Sequence, residues 1–268
     1  MSGFSVKLGP AGSSGHGTLE GIRFAKENGL QAMEVEFVRG VRMKNELAKE
    51  AGNLAKELGI RLSIHAPYYI NLASEDMQKR KDSIGRIIES CERGHHLGAA
   101  DIVFHASYYG KYEKDDVFGI VKEAITVMQD MIRENGWKVR LAPETTGKNS
   151  QWGDLGEVLR MVRETGCSMC IDFAHLYARN RGVIDYGKVL DKIETVKPGH
   201  IHCHFSNIEF TLKGERRHLN LDGKPPFKPL AEELVKRRLD ATIICESPVT
   251  WEDSLRMKRI FEGLGYRF

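Results

Sequence analysis

The sequence predicts an α/β fold, a (β/α)8 TIM barrel with a polar, metal-binding C-terminal mouth. Three observations predict it. Eight short apolar segments alternate with eight amphipathic ones, a pattern of parallel strands joined by right-handed helical crossovers, and eight such units close naturally into a barrel. The 268 residues match the size at which that barrel remains one domain, read as 1–268. Six of the apolar segments end on a histidine or a carboxylate: His65, His105, Glu144, Asp172, His204 and Glu246. Side chains delivered from the ends of many strands meet at one mouth.

In chain order, strands are expected over 5–9, 32–38, 61–66, 101–106, 138–144, 168–173, 200–205 and 242–246. Helices, marked by apolar residues three and four apart, are expected over 18–28, 45–58, 75–97, 114–134, 153–164, 185–196, 228–238 and 251–262. Gly29, Gly59, Gly98, Gly166 and Gly265 stand just past helices, where a C-capping glycine belongs. No repeat, low-complexity run or linker divides the chain.

Strand parity sharpens the assignment. One parity is almost wholly apolar, as in Val6 and Leu8, Leu62 and Ile64, Ile201 and Cys203, and is expected to pack under the helices. The other parity carries Lys7, Glu34, Glu36, Ser63, His65, Arg140, Asp172, His202 and His204, an unusually polar set for a barrel interior. Lys7 and Arg140 are expected to neutralise Glu34 and Glu36 there.

Composition narrows the class. Hydrophobic residues make up 41% and charged residues 29%, and no apolar run approaches the roughly eighteen residues that a membrane span needs. The amino terminus runs almost directly into a strand, leaving no room for a signal sequence, so a cytoplasmic protein without membrane contact is expected. The five cysteines are an odd count, four of them in apolar contexts, and suggest packing rather than disulfides. Cys167 and Cys170 form a C-x-x-C pair, but no second pair accompanies it to make a structural zinc site. The net charge of +3 permits an anionic partner without requiring one. Loop cations Lys111, Lys114, Lys148, Arg179, Arg181, Lys213, Arg216, Arg217 and Lys224 are expected to form a basic rim around the mouth.

The mouth residues are hard and borderline ligands, the types that divalent metals doing hydrolysis use. Glu144, Asp172, His204 and Glu246 form a mixed carboxylate and imidazole set, with His65, His105 and His175 beside it. That is too many ligands for one ion. Two ions sharing a carboxylate, with a third to neutralise a leaving oxygen, would suit phosphodiester cleavage. Any one strand-end histidine is more often a packed, hydrogen-bonded residue, but several converging from different strands reinforce one another. His202 lies one layer deeper and is read as a support for a ligand or as core.

The segments Ile64-His65-Ala66-Pro67-Tyr68-Tyr69-Ile70-Asn71-Leu72, Glu144-Thr145-Thr146-Gly147, Cys170-Ile171-Asp172-Phe173-Ala174-His175, His204-Phe205-Ser206-Asn207 and Glu246-Ser247-Pro248, with His105, resemble endonuclease IV, the metal-dependent abasic-site endonuclease family. The likeness runs over most of the chain, and its most specific part is His-x-x-Tyr-x-Ile-Asn-Leu. By that resemblance His65, His105 and Glu144 hold one zinc, while Glu144, Asp172, His204 and Glu246 hold a second. Glu144 bridges them, and Glu144 and Glu246 are the catalytic carboxylates. A third zinc takes His175 with residues of the loop after strand seven, where Glu215 and His218 are the candidates. The implied cofactor is two to three zinc ions, with manganese as the alternative, and the implied partner is duplex DNA containing abasic sites, bound by a monomer. Tyr68 and Tyr69 occupy the position of a DNA-probing loop, and Arg216 and Arg217 would meet phosphates.

The chain departs from the family at several points. The Asp-x-His of the strand-seven loop reads Gly214-Glu215-Arg216-Arg217-His218, Asn207 replaces an aspartate, Phe173-Ala174 replaces Thr-Cys, Ala106-Ser107 replaces Pro-Gly, and the loop after strand two is short. Two other readings stand beside the nuclease. A sugar or sugar-phosphate isomerase or epimerase on the same barrel needs one ion, which Glu144, Asp172, His204 and Glu246 suffice to hold. A metal-containing nucleic-acid-binding protein without turnover is the third.

Overall fold

The computed structural model describes residues 3–13 and 15–268. Its strands are β1 (Val6–Pro10), β2 (Ala32–Glu36), β3 (Arg61–His65), β4 (Asp101–Phe104), β5 (Arg140–Pro143), β6 (Cys170–Asp172), β7 (Ile201–Phe205), β8 (Asn207–Thr211), β9 (Gly214–Leu219) and β10 (Ala241–Cys245). The helices are α1 (Thr18–Glu27), α2 (Asn45–Leu58), α3 (Met77–Leu97), α4 (Lys114–Glu134), α5 (Leu155–Thr165), α6 (Phe173–Arg179), α7 (Tyr186–Glu194), α8 (Lys228–Arg237) and α9 (Thr250–Gly263).

Eight parallel strands form two arcs, β1-β10-β7-β6 and β2-β3-β4-β5. The arcs meet through parallel bridges Ala11↔Glu34 and Glu144↔Cys170, so the barrel closes on both seams. Backbone bonds Gly12 N to Glu34 O (2.9 Å) and Thr145 N to Cys170 O (3.0 Å) hold the seams. The predicted TIM barrel is therefore observed.

Helix ends follow local chemistry. Asp76 caps α3 by accepting from Gln78 N, and Asp154 with Glu157 forms a reciprocal capping box at α5, devices worth about 1 kcal/mol each. The strand parity read as apolar lies in one core between sheet and helices, with Leu8, Ile64, Ile171, Cys203 and Ile243 fully buried. Inside the barrel the apolar contribution is small, a cluster of Val103, Ala142 and Cys170 with Ile244 on β10. All five cysteines are buried and free, as packing residues would be.

Two segments differ from the sequence-based expectation. Phe173–Arg179 is a helix that starts without an intervening loop, because Asp172 ends β6 and accepts from His175 N at 2.7 Å as its N-cap. His175, expected in a loop, therefore sits in the first turn of α6. The segment after β7 is an antiparallel hairpin, β8–β9, with Asn207 opposite Leu219 and Thr211 opposite Gly214.

Candidate metal centre

Each expected ligand arrives at the mouth from its own element. His65 ends β3, Asp172 ends β6 and His204 lies near the end of β7, while His105, Glu144 and Glu246 follow β4, β5 and β10 directly. Period-two alternation aims them inward, and the preceding apolar residues lock the strands that carry them.

Glu144 is the hub. It is fully buried, and its Oε2 lies 3.2 Å from His65 Nε2 and 3.0 Å from His105 Nε2. Its Oε1 lies 3.1 Å from His175 Nδ1 and 3.4 Å from His204 Nδ1. The ligand atoms of His65, His105 and Glu144 fall within 4.8 Å of one another, as do those of Glu144, Asp172, His204 and Glu246. One carboxylate thus belongs to both groups, the geometry expected of a bridge.

The hairpin brings Glu215 and His218 beside His175, where the resemblance places a third ion. Glu215 Oε2 lies 3.0 Å from His175 Nε2, and the His218 ring centroid lies 5.4 Å from that of His175. Glu215 is seated by its backbone, which donates to Gly147 O at 3.1 Å, and by the Lys148↔Gly214 bridge. This approach requires glycine twice. A Cβ on Gly147 would lie 2.2 Å from Glu215 Oε2, and one on Gly214, at φ +106°, would lie 2.2 Å from Gly147 O.

The donor set fits divalent cations. Glu144 Oε1, Asp172 Oδ2, His175 Nε2, His204 Nδ1 and Glu215 Oε2 are buried without a hydrogen-bond partner, although several face one another across ion-pair distances. Atoms left this way are costly unless a cation satisfies them. The far nitrogens are anchored meanwhile, His65 Nδ1 on Ala66 O at 2.8 Å and His175 Nδ1 on Thr145 O at 2.9 Å. Those bonds place the proton on Nδ1 and leave Nε2 as the ligand.

Protons take the place of cations in the electrostatics. Burial pushes the Asp172 and Glu36 carboxyls up to about 8. Burial opposes charge on His65, yet its bond to Glu144 prevails and carries the imidazole to about 10. His175 and His204 are also raised well above the ordinary imidazole value against burial, His175 chiefly by Asp172 and Glu215, His204 by Cys170, Glu246, Glu34 and Glu144. Glu246 is held at about 2, its burial outweighed by His204. Six carboxylates gather here, Glu34, Glu36, Glu144, Asp172, Glu215 and Glu246, and Lys148, 3.5 Å from Glu215, is the lysine that pairs with one of them. Divalent ions would relieve that excess of negative charge and expel the protons.

The outer residues are mixed. Ile70 and Leu72 are buried and anchor their loop, leaving Tyr68 and Tyr69 exposed at 56% and 66%. Tyr68 lies over His65, ring centroids 5.7 Å apart, beside a 350 Å³ cavity that also touches His105, Lys148, His175, Glu215 and His218. Arg216 and Arg217 are exposed on β9 and both pair with Glu209 of β8. The expected basic rim is largely compensated: Lys111 pairs with Glu75, Lys114 with Asp154 and Lys148 with Glu215. Arg179 turns inward, donating to Thr146, Lys148, Gln151 and Tyr109 as a loop clamp. Asn207, where the family has an aspartate, ties Gly223 and Pro225 in place.

The expected neutralisation of Glu34 by Lys7 and Arg140 does not occur. Arg140 pairs with Asp101 at the opposite end of the barrel, at 2.9 Å, and Glu34 meets His202 and His204 at 2.9 and 2.8 Å. The polar parity of β2 and β7 gave the signal for these contacts, but sequence alone does not say which interior residues face each other.

Comparisons with known proteins agree with this architecture. Residues 22–261 match the xylose isomerase-like TIM barrel family. An uncharacterized protein of Methanocaldococcus jannaschii is 38% identical over 244 residues, 88% of each chain. A protein of Mycobacterium leprae named probable endonuclease 4 is 26% identical over 243 residues, 85% of this chain and 92% of that one. Among solved structures, endonuclease IV from Thermus thermophilus superposes with a TM-score of 0.75 at 21% identity, covering 96% of this chain and 98% of that one. A D-tagatose 3-epimerase-like protein gives 0.74 at 17% identity and 96% coverage of both chains. At those identities the two structures establish the shared fold. The chain belongs to the xylose isomerase-like TIM barrel family and is endonuclease IV-like in its motifs.

Proposed function

We propose that this protein is a metal-dependent phosphodiesterase that cleaves duplex DNA on the 5′ side of abasic sites. The observation that carries the reading is the sharing of Glu144, whose two oxygens face His65 and His105 on one side and His175 and His204 on the other. A single-ion isomerase has no use for three further histidines around that carboxylate.

Bound divalent ions, zinc above all, would supply an activated water and charge neutralisation at phosphorus. In this reading the chain does the rest. Glu144 would hold two ions, Asp172, His204 and Glu246 would complete the second site, and His175, Glu215 and His218 would hold a third, supplying charge neutralisation for the departing sugar oxygen. Tyr68 and Tyr69 fill the gap left by an extruded nucleotide, and Arg216 and Arg217 contact flanking phosphates. A monomer working in the cytoplasm completes the reading.

The second reading is a sugar or sugar-phosphate epimerase, favoured by the four-residue set Glu144, Asp172, His204 and Glu246, complete without the other histidines. The deciding experiment incubates zinc-loaded protein and its His105→Ala variant with a duplex carrying a synthetic abasic site. Nicking by the wild type, lost in the variant, supports the nuclease. No nicking, with ketose epimerisation that survives His105→Ala, replaces it with the epimerase.

A further inference from the structure

Beneath the mouth lies a buried polar layer that the proposed chemistry does not use. Glu34, on β2, is fully buried and reaches across the barrel interior to β7. Its Oε2 accepts from Ser63 Oγ at 2.6 Å and faces His202 Nε2 at 2.9 Å, while its Oε1 lies 2.8 Å from His204 Nε2. That last pair sits off the ideal hydrogen-bond line, and Oε1 has no other partner. Glu34 therefore spans the two arcs of the barrel.

His204 is also oriented differently from His65 and His175. His65 and His175 each commit Nδ1 to a backbone carbonyl, Ala66 O and Thr145 O. His204 turns the other way: Nδ1 lies 3.1 Å from Glu246 Oε1 and 3.4 Å from Glu144 Oε1, and Nε2 points down. Among the described residues no backbone carbonyl pairs with that nitrogen; Glu34 Oε1 faces it at 2.8 Å, with the Cys170 thiol also close to the ring.

We propose that Glu34 is the positioning carboxylate of the centre: it accepts the Nε2–H of His204, fixing the tautomer whose Nδ1 is free to ligate the ion shared with Glu144, Asp172 and Glu246. A full negative charge on the far nitrogen makes His204 a more basic donor than a backbone carbonyl would. Ser63 and His202 hold the carboxylate against rotation. The proposal rests on the reading of the mouth as a metal centre and not on its substrate, so protein that binds zinc without nicking DNA would sink the nuclease and leave this intact.

The test uses the full chain with histidine labelled with nitrogen-15 and loaded with zinc. Long-range proton–nitrogen correlation spectra are expected to show His204 protonated at Nε2 and metal-bound at Nδ1. A spectrum with His204 protonated at Nδ1 overturns the proposal. So does one with both nitrogens bare, which would place a cation between Glu34 and His204. Stripped Glu34→Gln, whose folding is checked by circular dichroism, is then titrated with zinc against a chromophoric chelator. One ion is expected to bind roughly ten- to a hundred-fold more weakly than in the wild type, with the remaining ions unchanged. Folded Glu34→Gln with every affinity unchanged also overturns it. The wild-type spectrum decides by itself if the variant does not fold.

Discussion

Glu215 Oε2 lies 3.0 Å from His175 Nε2, although Glu215 sits where the family pattern is broken and comes from a hairpin that sequence periodicity does not announce. In the proposed centre, Glu215 would give a third cation position its carboxylate from a shifted place in the chain. Glu215→Ala is expected to lower the zinc content of purified protein by about one ion per chain while leaving the ions around Glu144 in place. Unchanged metal content would shift the assignment to another residue of the hairpin.

Gly147 makes the same point from the backbone. Alanine there would set its Cβ against the Glu215 carboxylate, 2.2 Å from Oε2, and would have to push it off His175. Gly147→Ala is expected to reproduce the metal loss of Glu215→Ala in a folded protein, and combining the two is expected to add nothing. An additive loss, read by metal analysis, would mean that Gly147 acts elsewhere.

Much of this centre was legible in the chain. A strand ending in His65 or Asp172, or running directly into Glu246, carries its own address, because parity and the end of an apolar run together specify the mouth. What escaped depends on contacts without a local signature. The hairpin of β8 and β9 is a mixed case: β8 does alternate, with Ile208 and Phe210 packing on α6, but β9 is dominated by charge, with Glu215, Arg216 and Arg217, and carries no apolar run of its own. Helix α6 begins on the residue after β6, so its first turn reads as more strand and loop. The partners of Glu34 lie across the barrel, His202 at 168 residues' separation, and no spacing rule reaches that far.

The pH response of metal-free protein follows from the same crowding. Asp172 and Glu36 are raised to about 8, and His65 to about 10, so between about pH 6 and 8 these groups hold more protons in the folded state than in the unfolded chain, while the lowered carboxylates such as Glu246 act only at acid pH. Stability then falls as pH rises through that window. Thermal melts of stripped protein are expected to give a higher Tm at pH 6 than at pH 8. Added zinc is expected to raise Tm more at pH 8, where fewer protons compete. A stripped protein more stable at pH 8 would contradict this electrostatic picture.

Arg216 and Arg217 test the DNA side. Both are exposed and engage Glu209 rather than the core, so replacing both with alanine is expected to leave folding and metal content alone. If they meet phosphates, KM for an abasic duplex rises with little change in kcat. The slope of log affinity against log salt would become shallower by about two. An unchanged slope would remove them from the DNA interface.

The central claim is that Glu144 is shared between cation positions, and counting metal measures it most directly. Elemental analysis of protein saturated with zinc and freed of excess is expected to give between about two and three ions per chain, falling by about two in Glu144→Ala. A single ion per chain, or a count indifferent to Glu144, would contradict the account.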